Sequence, residues 1–377
     1  MLLKNKKTAI IGAGPVGLTL AKLLQQSGAD VTVYERDQDP QARIWGGTLD
    51  LHKDSGQEAM KKAGLLELYY DLALPMGIKM TDEKGKTIFS KETTSENQYD
   101  NPEINRNILR KMLLNSLRDN TVIWDRKCTE SEVSDGKWLL HFENGTSASA
   151  DLVIVANGGM SKLRSYVTGT EVKDTGTMII QGDIPQPEMQ CPEFYEFCDG
   201  KRLMAAYRGN LIVVNPCNNG TMTYGVIFKS PENPNDLRVP ESRDTDLIRD
   251  FLLRRFTDWD DRFKVLLHST FNFWCLPTRK FPLEQPWNSS RPLPITLVGD
   301  AAHMMPPFAG QGVNTGLKDA LILSEQLTAG NHKTLNDAIE SYEKEMFVYA
   351  SEAQFASNKN EAEMREADFS FEQLIVG

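Results

Sequence analysis

The sequence has little of what marks several common classes of protein. No stretch reaches the roughly 18 consecutive apolar residues that a membrane-spanning helix needs. The five cysteines are scattered and show no C-x-x-C spacing, which argues against a zinc ribbon or a disulfide framework and favours reduced thiols. The five histidines show no metal-ligand spacing, and the G-x-S-x-G pattern of serine hydrolases is absent. We therefore predict neither a metal site nor a serine nucleophile.

Basic residues are outnumbered, since 42 Lys and Arg against 52 Asp and Glu give a net charge of −10, and no basic block occurs. Nucleic acid and anionic membrane surfaces are therefore poor partners. What is present is ordinary globular composition, and 377 residues suffice for two or three domains. The uncharged run from Thr8 to Ala21 superficially resembles a signal peptide, but glycines and a proline interrupt it. We expect a cytoplasmic protein, and a monomer because no coiled-coil heptads are visible.

The N-terminal segment has the pattern of a strand, a turn, a helix and a second strand. Lys7–Ile11 is a short apolar strand, residues 12–17 form a tight glycine-rich turn, and Leu18–Gln26 is helical. Val31–Tyr34 is the next strand. This βαβ order predicts a parallel sheet.

More distant segments extend this organisation. The apolar runs Leu152–Ala156 and Ile295–Val298 each precede a glycine-containing turn, as central strands of the same sheet do. Because they lie far apart, another domain must be inserted between them. Residues 175–273 contain short runs rich in Val, Ile, Phe and Thr between turns, which predicts a mostly antiparallel sheet. A long helix follows, with Leu335, Ile339, Tyr342, Met346 and Tyr349 on one stripe. If it runs to about Met364, it is about 45 Å long at 1.5 Å per residue, enough to bridge two domains.

One strand of the inserted sheet has two different faces. The even positions of Thr221–Phe228 are large and apolar, so they form a packing face. The odd positions, which include Thr223 and Gly225, are smaller. This second face looks either onto a ligand or onto solvent, and the sequence leaves both open.

The glycine-rich turn has the G-x-G-x-x-G spacing of a dinucleotide-binding loop. Gly12 permits the sharp turn, Gly14 lets the backbone approach a pyrophosphate, and Gly17 lets helix and strand pack closely. Free N–H groups at the helix start would hold the phosphates. Glu35, at the end of the next strand, would accept the adenosine ribose hydroxyls. The predicted loop comprises Gly12, Ala13, Gly14, Pro15 and Gly17.

A second turn of this kind lies near the other end of the chain. The segment Gly299–His303 places a carboxylate, Asp300, at a strand end, and a glycine-rich turn at residues 310–314 opens a helix. Two such turns suit FAD better than NAD, because FAD carries a ribityl chain and a flavin ring beyond its pyrophosphate. His303 has the setting of a hydrogen-bonded structural histidine.

A third segment, Asn157–Arg164, follows another buried strand. Ser161 and Arg164 either support cofactor phosphates or cap the following helix. In this order the three segments resemble the motifs of the single-component FAD-dependent aromatic hydroxylases, with their p-hydroxybenzoate hydroxylase-like fold. Residues 299–303 resemble the GD motif of that family. Residues 157–164 resemble its DG motif, with Asn157 where Asp is usual.

The resemblance narrows further to the tetracycline-inactivating flavin monooxygenases, over essentially the whole chain. It is carried by Gly46–His52, Asn101–Asn107, Met305–Gly312 and the segment from Met364 to Phe371. It implies that the following residues contact FAD at its adenosine end, along its ribityl and phosphate region and at its flavin: Glu35, Arg36, Asp50, Arg106, Asp300, Gly310, Gln311, Gly312 and Val313. It further implies that Arg43 meets NADPH.

The same resemblance implies a substrate pocket on the inserted sheet. The implied pocket residues are Gln181, Arg202, Met204, Asn215, Thr223, Gly225, Pro307, Phe308, Gly310, Met364 and Phe371. Two positions depart from the family pattern, which has a histidine at Thr223 and a phenylalanine at Val213. Shorter side chains there remove contact area and leave space, so we expect substrate preference and efficiency to depart from those of the family, while the cofactor site is untouched.

The resemblance implies an α/β fold with a Rossmann-like FAD-binding domain, an inserted, mostly antiparallel substrate domain and a C-terminal bridging helix. It implies an NADPH- and O2-dependent monooxygenase that hydroxylates a tetracycline through a flavin C4a-hydroperoxide, with no protein side chain as acid or base. The alternatives are a monooxygenase of another polycyclic or phenolic metabolite, and a flavoprotein that binds ligand without catalysis. We place the FAD-binding domain at residues 1–72, 101–174 and 274–330, the substrate domain at 73–100 and 175–273, and the bridging helix at 331–377.

Overall fold

The computed structural model describes residues 2–42, 46–230 and 244–373. The described strands are, in chain order, β1 (Lys7–Ile11), β2 (Asp30–Tyr34), β3 (Leu49–Asp50), β4 (Ile78–Thr81), β5 (Thr87–Lys91), β6 (Glu103–Ile104), β7 (Val122–Ile123), β8 (Cys128–Ser134), β9 (Lys137–Phe142), β10 (Ser147–Ala150), β11 (Leu152–Val155), β12 (Lys173–Pro185), β13 (Arg202–Tyr207), β14 (Asn210–Asn215), β15 (Thr221–Lys229), β16 (Asn272–Lys280) and β17 (Ile295–Leu297). The described helices are α1 (Pro15–Gln26), α2 (Gly56–Ala63), α3 (Leu66–Leu72), α4 (Arg106–Asn115), α5 (Pro187–Gln190), α6 (Pro192–Cys198), α7 (Thr245–Arg255), α8 (Asp261–His268), α9 (Asp300–His303), α10 (Gly312–Thr328) and α11 (Leu335–Met364).

A parallel sheet of order β17-β11-β1-β2-β7 forms the first half of the molecule. Each neighbouring pair in it is parallel, which confirms the sheet predicted from the βαβ start. Every residue of β11 is buried, as expected for a strand covered on both faces. The helices α1 and α10 pack against each other beside this sheet.

A second sheet has the order β16-β12-β15-β14-β13-β4-β5. All its neighbours are antiparallel except β13 and β4, so the mostly antiparallel insert is confirmed. β4 and β5 fall inside segment 73–100. β16 continues past residue 273 to Lys280, because it stays paired with β12 as far as Lys173 beyond an irregularity in register.

The alternation predicted for β15 is present. Met222, Tyr224, Val226 and Phe228 are at most 2% exposed and belong to an apolar core that also includes residues of α6, α7 and α8. Thr223 and Gly225 face the other way. Smaller units complete the fold, namely the sheet β10-β9-β8 and the pair β3-β6.

The long helix α11 contacts both halves of the molecule. It begins with a capping box in which Thr334 and Asp337 each accept a hydrogen bond from the other's backbone N–H. Further along, the Tyr342 hydroxyl donates to the carbonyl oxygen of Leu297 in β17 at 3.0 Å. Just after the helix, Arg365 donates to the carbonyl oxygen of Thr175 in β12 at 2.9 Å. The predicted bridging helix, ending at Met364, is therefore confirmed. Within the described ranges, no helix combines the length and apolar character that crossing a bilayer demands.

Candidate active site

A cavity of about 520 Å³ lies where the carboxyl ends of the parallel strands approach one face of the second sheet. Ligands of open α/β sheets bind at this edge. On the parallel-sheet side the cavity is lined by Gly14, Pro15, Asp50, Arg106, Asp300, Pro307, Gly310, Gly312 and Val313, among others. On the other side it is lined by Gln181, Arg202, Val213, Asn215, Thr223 and Gly225, among others.

The glycine-rich loop after β1 forms one end of the cavity. Gly12 has a φ of +113°, and a Cβ there would lie 2.5 Å from the carbonyl oxygen of Ala156, so only glycine fits. At Gly14, by contrast, no described atom beyond its chain neighbours lies within 4 Å of such a Cβ. The loop is therefore closed against the sheet on one side and open towards the cavity on the other.

Glu35 reinforces this loop from the end of β2. Its carboxylate is buried and accepts a hydrogen bond from the Ala13 backbone N–H at 2.5 Å. The other oxygen accepts from the backbone N–H of Asp37 at 3.1 Å. Arg36 follows β2 as an exposed side chain. Arg43, which the resemblance assigns to NADPH, lies outside the described residues.

Asp300 and Arg106 provide opposite charges on the same side of the cavity. Asp300 opens α9 directly after β17 and is exposed. The Arg106 Nε donates to the carbonyl oxygen of Gly47 at 2.9 Å. Burial lowers the pKa of Arg106, and the nearby charge of Asp300 opposes that shift. These two side chains were predicted from separate motifs, and both line the cavity.

Asp50 forms an ion pair with His52, a residue that the sequence did not single out. The Asp50 Oδ2 lies 3.4 Å from the His52 Nε2. Burial raises the pKa of Asp50, but the hydrogen bond to His52 and the charges of Arg202 and His52 outweigh it, so the pKa is lowered overall. The hydrogen bond to Asp50 correspondingly raises the pKa of His52. The pair lies beside Gly310, whose φ is +63°.

Asn314 fastens the glycine-rich turn before α10 to β3. Its side-chain nitrogen donates to the carbonyl oxygens of Asp50 at 2.9 Å and Gly310 at 3.1 Å. Its side-chain oxygen accepts from the backbone N–H of His52 at 2.8 Å. Gly312 and Val313 then start α10 with its N-terminus at the cavity. Gln311 occupies the N-cap position, half-buried, and its side chain makes no capping hydrogen bond.

The wall contributed by the second sheet is polar near its centre. Gln181, Asn215 and Thr223 line the cavity together with Gly225, so the small face of β15 looks onto the cavity and not onto solvent. Both polar atoms of the Asn215 side-chain amide form hydrogen bonds within the protein. Its nitrogen donates to the Thr48 hydroxyl at 2.6 Å, and its oxygen accepts from the Cys217 backbone N–H at 3.0 Å.

Four residues assigned to the pocket lie beside the cavity and not on its lining. Phe371 belongs with Phe369 to a separate apolar cluster, and Met204 and Met364 pack against that cluster. Phe371 is 1% exposed, so its ring is covered by that cluster. The cluster covers the far part of the sheet face that lines the cavity, and Val213 belongs to both. The fourth residue, Phe308, is half-buried, and its carbonyl oxygen accepts from the Asn360 side chain at 3.0 Å.

Arg202 forms an ion pair with a buried carboxylate that was not predicted from the sequence. Its guanidinium forms an ion pair with Glu103, whose side chain is 4% exposed. The second oxygen of Glu103 accepts a hydrogen bond from the Thr48 hydroxyl. A continuous chain therefore runs from Asn215 through Thr48 and Glu103 to Arg202.

The segment after β11 supports the site from outside the cavity. Arg164 donates to the carbonyl oxygens of Gly159 at 2.8 Å and Ala301 at 2.9 Å, so it ties this segment to α9. These contacts are neither of the two roles left open for Arg164, because its guanidinium joins two backbone segments and does not line the cavity. His303 is fully buried and lies 2.7 Å from Asp319, in agreement with the structural role predicted for it.

Comparison with known proteins identifies the class. The family model described as "FAD binding domain" matches residues 5–354. The chain therefore belongs to this family of FAD-binding proteins, and it is a flavin-dependent monooxygenase. Among its relatives, the monooxygenase penA of Penicillium thymicola is 29% identical over 90% of both chains.

Two solved structures show the same fold at lower identity. The tetracycline destructase Tet(55) has a TM-score of 0.79 and 22% identity, covering 100% of this chain and 94% of its own. Klebsiella pneumoniae HpxO, complexed with FAD and uric acid, has a TM-score of 0.79 and 21% identity, covering 97% and 90%. Both likenesses confirm the expected α/β architecture with its antiparallel-sheet domain and long C-terminal helix.

The residues present fit FAD. The open backbone at Gly14 and the N-termini of α1 and α10 offer N–H donors to phosphate and to the flavin ring. Asp300 presents an exposed carboxylate to hydroxyl groups, and Arg106 lies close enough for their charges to interact. One cavity thus contains features suited to the whole length of a flavin dinucleotide.

Proposed function

We propose that this monooxygenase uses NADPH and O2 to hydroxylate a polycyclic phenol or enol, and that a tetracycline is its substrate. The observation that carries the proposal is the shared cavity. The glycine-rich loops suited to FAD and the polar face of the second sheet open onto the same space. A ring system on that face would lie against the flavin. The whole-length resemblance to tetracycline-inactivating enzymes supports the choice of substrate.

In this proposal the protein positions the reactants and excludes water. FAD, when bound, supplies the oxygen-activating chemistry. Asp300 and Arg106 hold its ribityl and phosphate region, and the N-terminus of α10 stabilises negative charge on the pyrimidine end of the ring. Arg202 and Gln181 orient the polar edge of the substrate. No side chain is assigned as an acid or base. The residues proposed for the adenosine end are Glu35 and Arg36.

The test is to mix purified, FAD-loaded enzyme with NADPH in air, with and without tetracycline. We expect NADPH consumption to rise on adding the drug, and mass spectrometry to show a product heavier by one oxygen atom. NADH in place of NADPH tests the choice of reductant. An unchanged drug, together with retained FAD, would reject the substrate and keep the cofactor assignment.

A second candidate substrate is another polycyclic or phenolic metabolite, favoured by two cavity residues. Val213 and Thr223 stand where tetracycline-inactivating enzymes carry phenylalanine and histidine. Thr223 is buried and within 3.4 Å of the Asn218 side-chain nitrogen, so its hydroxyl already has a protein partner. This candidate predicts slow tetracycline turnover alongside rapid turnover of a different ring system in a substrate screen.

A further inference from the structure

The positive and negative charges that line the cavity are equal in number. The charged side chains among the described lining residues are two arginines, Arg106 and Arg202, and two aspartates, Asp50 and Asp300. Arg106 and Asp300 interact on the side assigned to FAD. Arg202 is therefore the cation that a substrate on the second sheet would meet.

Arg202, however, already has a carboxylate partner. Glu103 pairs with its guanidinium and is itself buried, so the negative charge cannot turn away into solvent. Asp50 is close enough to add a second negative charge, since it opposes the lowering of the Arg202 pKa by burial. A full positive charge is thus not available to a ligand at this position.

The surroundings fix the Glu103 carboxylate in place. One oxygen pairs with Arg202, and the other accepts from Thr48, whose hydroxyl in turn accepts from Asn215 at 2.6 Å. Glu103 also lies in β6, which pairs with β3, and in this pairing Glu103 is directly opposite Asp50. Removing the charge of Glu103 would therefore change the electrostatics of the wall more than its shape.

We propose that Glu103 neutralises Arg202 and thereby makes the cavity select a substrate whose polar edge carries no net charge over an organic anion. Arg202 still donates hydrogen bonds to the oxygens of such an edge. Glu103 is a positioning residue that acts through Arg202. The inference rests on the proposed use of this cavity as the substrate site, and it names the charge class of that substrate.

The experiment compares two polycyclic probes of the same shape, anthraquinone-2-carboxamide and anthraquinone-2-carboxylate. Their affinities for the FAD-loaded enzyme are measured by calorimetry at neutral pH. We expect the wild type to bind the carboxamide more tightly. In Glu103→Gln, the unpaired arginine should shift the affinity ratio towards the carboxylate by about tenfold, because one buried charge is lost beside the ligand.

Two further variants complete a double-mutant cycle. Arg202→Gln leaves Glu103 unpaired, so the ratio should move the other way, towards the carboxamide. The double variant Glu103→Gln/Arg202→Gln removes both charges and should return the ratio to near its wild-type value. Glu103→Asp keeps the charge and should resemble the wild type. If Glu103→Gln fails to fold, Arg202→Gln and the double variant still decide the question.

The matched control is Glu343→Gln. Glu343 is also buried and pairs with an arginine, Arg291, at 2.6 Å, but it lies outside the cavity lining. We expect it to lower stability without changing the ratio of the two probe affinities.

An affinity ratio that stays unchanged in Glu103→Gln, or that changes equally in Glu343→Gln, overturns the inference. Failure of both probes to bind any variant also overturns it. A shifted ratio without tetracycline turnover would reject the proposed substrate and keep the inference.

Discussion

Asn314 and Asp50 are joined by a 2.9 Å hydrogen bond across 264 residues of sequence. The amide of Asn314 also accepts from His52 and donates to Gly310, so a single side chain sets the distance between β3 and the turn that opens α10. Both of these segments line the cavity. The alignment of two cavity walls therefore depends on one buried amide.

Replacing Asn314 with alanine is expected to lower the free energy of unfolding by about 1–3 kcal/mol, because buried polar groups lose their partners. It should also lower FAD affinity. Urea unfolding and the flavin-to-protein absorbance ratio measure the two effects. The control is Asn360→Ala, which removes a 3.0 Å hydrogen bond donated by the side-chain nitrogen to the Phe308 carbonyl oxygen, and it should retain more FAD. Equal FAD loss in both variants contradicts the role given to Asn314.

Two glycines of the first loop should respond differently to alanine. Gly12→Ala forces a side chain to within 2.5 Å of the Ala156 carbonyl oxygen at a φ of +113°, so we expect marked destabilisation even without FAD. Gly14→Ala has room for its methyl group and should leave the stability of the apoprotein within about 1 kcal/mol of the wild type.

The effect of Gly14→Ala should appear in FAD binding and not in the stability of the apoprotein. The methyl group of Gly14→Ala points into space that the cofactor would occupy, so FAD binding should weaken. Thermal unfolding with and without FAD measures both quantities. Tight FAD binding by Gly14→Ala would show that the pyrophosphate does not approach this backbone.

Variants of Asp300 and Arg202 should affect cofactor binding and substrate binding separately. Asp300→Ala should purify with little FAD, because a carboxylate that accepts from hydroxyl groups is lost. Arg202→Gln should keep its FAD but raise the KM for substrate about tenfold, the usual order for one lost charge-assisted hydrogen bond. The measurements are flavin content and steady-state kinetics. Full FAD retention by Asp300→Ala would refute the placement of that carboxylate.

The Asp50–His52 pair predicts a specific pH dependence of stability. The pKa of Asp50 is lowered from 3.8, so its contribution is present above that value and is lost as pH falls through the lowered pKa. The pKa of His52 is raised from 6.5, so its contribution is present below that value and is lost as pH rises through the raised pKa.

The stability difference between wild type and Asp50→Asn should therefore be greatest from about pH 4 to pH 6.5 and should shrink on either side. Urea titrations across this range provide the measurement, with His52→Gln as the matched partner variant. A difference that keeps growing above the pKa of His52 would mean that the pair contributes nothing as an ion pair.

Val213 and Thr223 are expected to control the fit of the substrate. Val213→Phe and Thr223→His add bulk to the cavity wall at the two positions where the chain departs from tetracycline-inactivating enzymes. If a tetracycline is the substrate, the double variant should lower its KM several-fold through added contact area. FAD content should stay constant, since neither residue lies on the side assigned to FAD. A raised KM would favour a different ring system.

The sequence predicted the parts of the site that depend on local backbone geometry. The glycine spacing at Gly12 and Gly14, the acidic residue at a strand end and the two-residue period of β15 are each visible in a short window. The residues it missed act through pairing at long range. Glu103 and Thr48 lie inside segments that carry the family resemblance. No spacing rule, however, indicates that Thr48 contacts Glu103 or that Glu103 contacts Arg202.

The position of Phe371 and Met364 in a separate cluster could not be predicted from the sequence, for the same reason. Their apolar character is compatible with either a ligand or a neighbouring sheet, and only the path of the chain after α11 decides between them. Glu103 also shows why composition alone could not locate the ion pair. One acidic residue among many becomes significant only when its partner, about a hundred residues away, is brought against it.

The segment that follows α11 has a consequence for how this enzyme could change over time. It covers the far part of a sheet face whose near part is left open as the cavity, and Val213 marks the border between them. If this cavity holds the substrate, the residues after α11 limit its length along the sheet, and they are separate from the glycine loops. On that proposal, substitutions in the segment after α11 would change the length of the cavity along the sheet and leave the glycine loops of the proposed cofactor site unaltered.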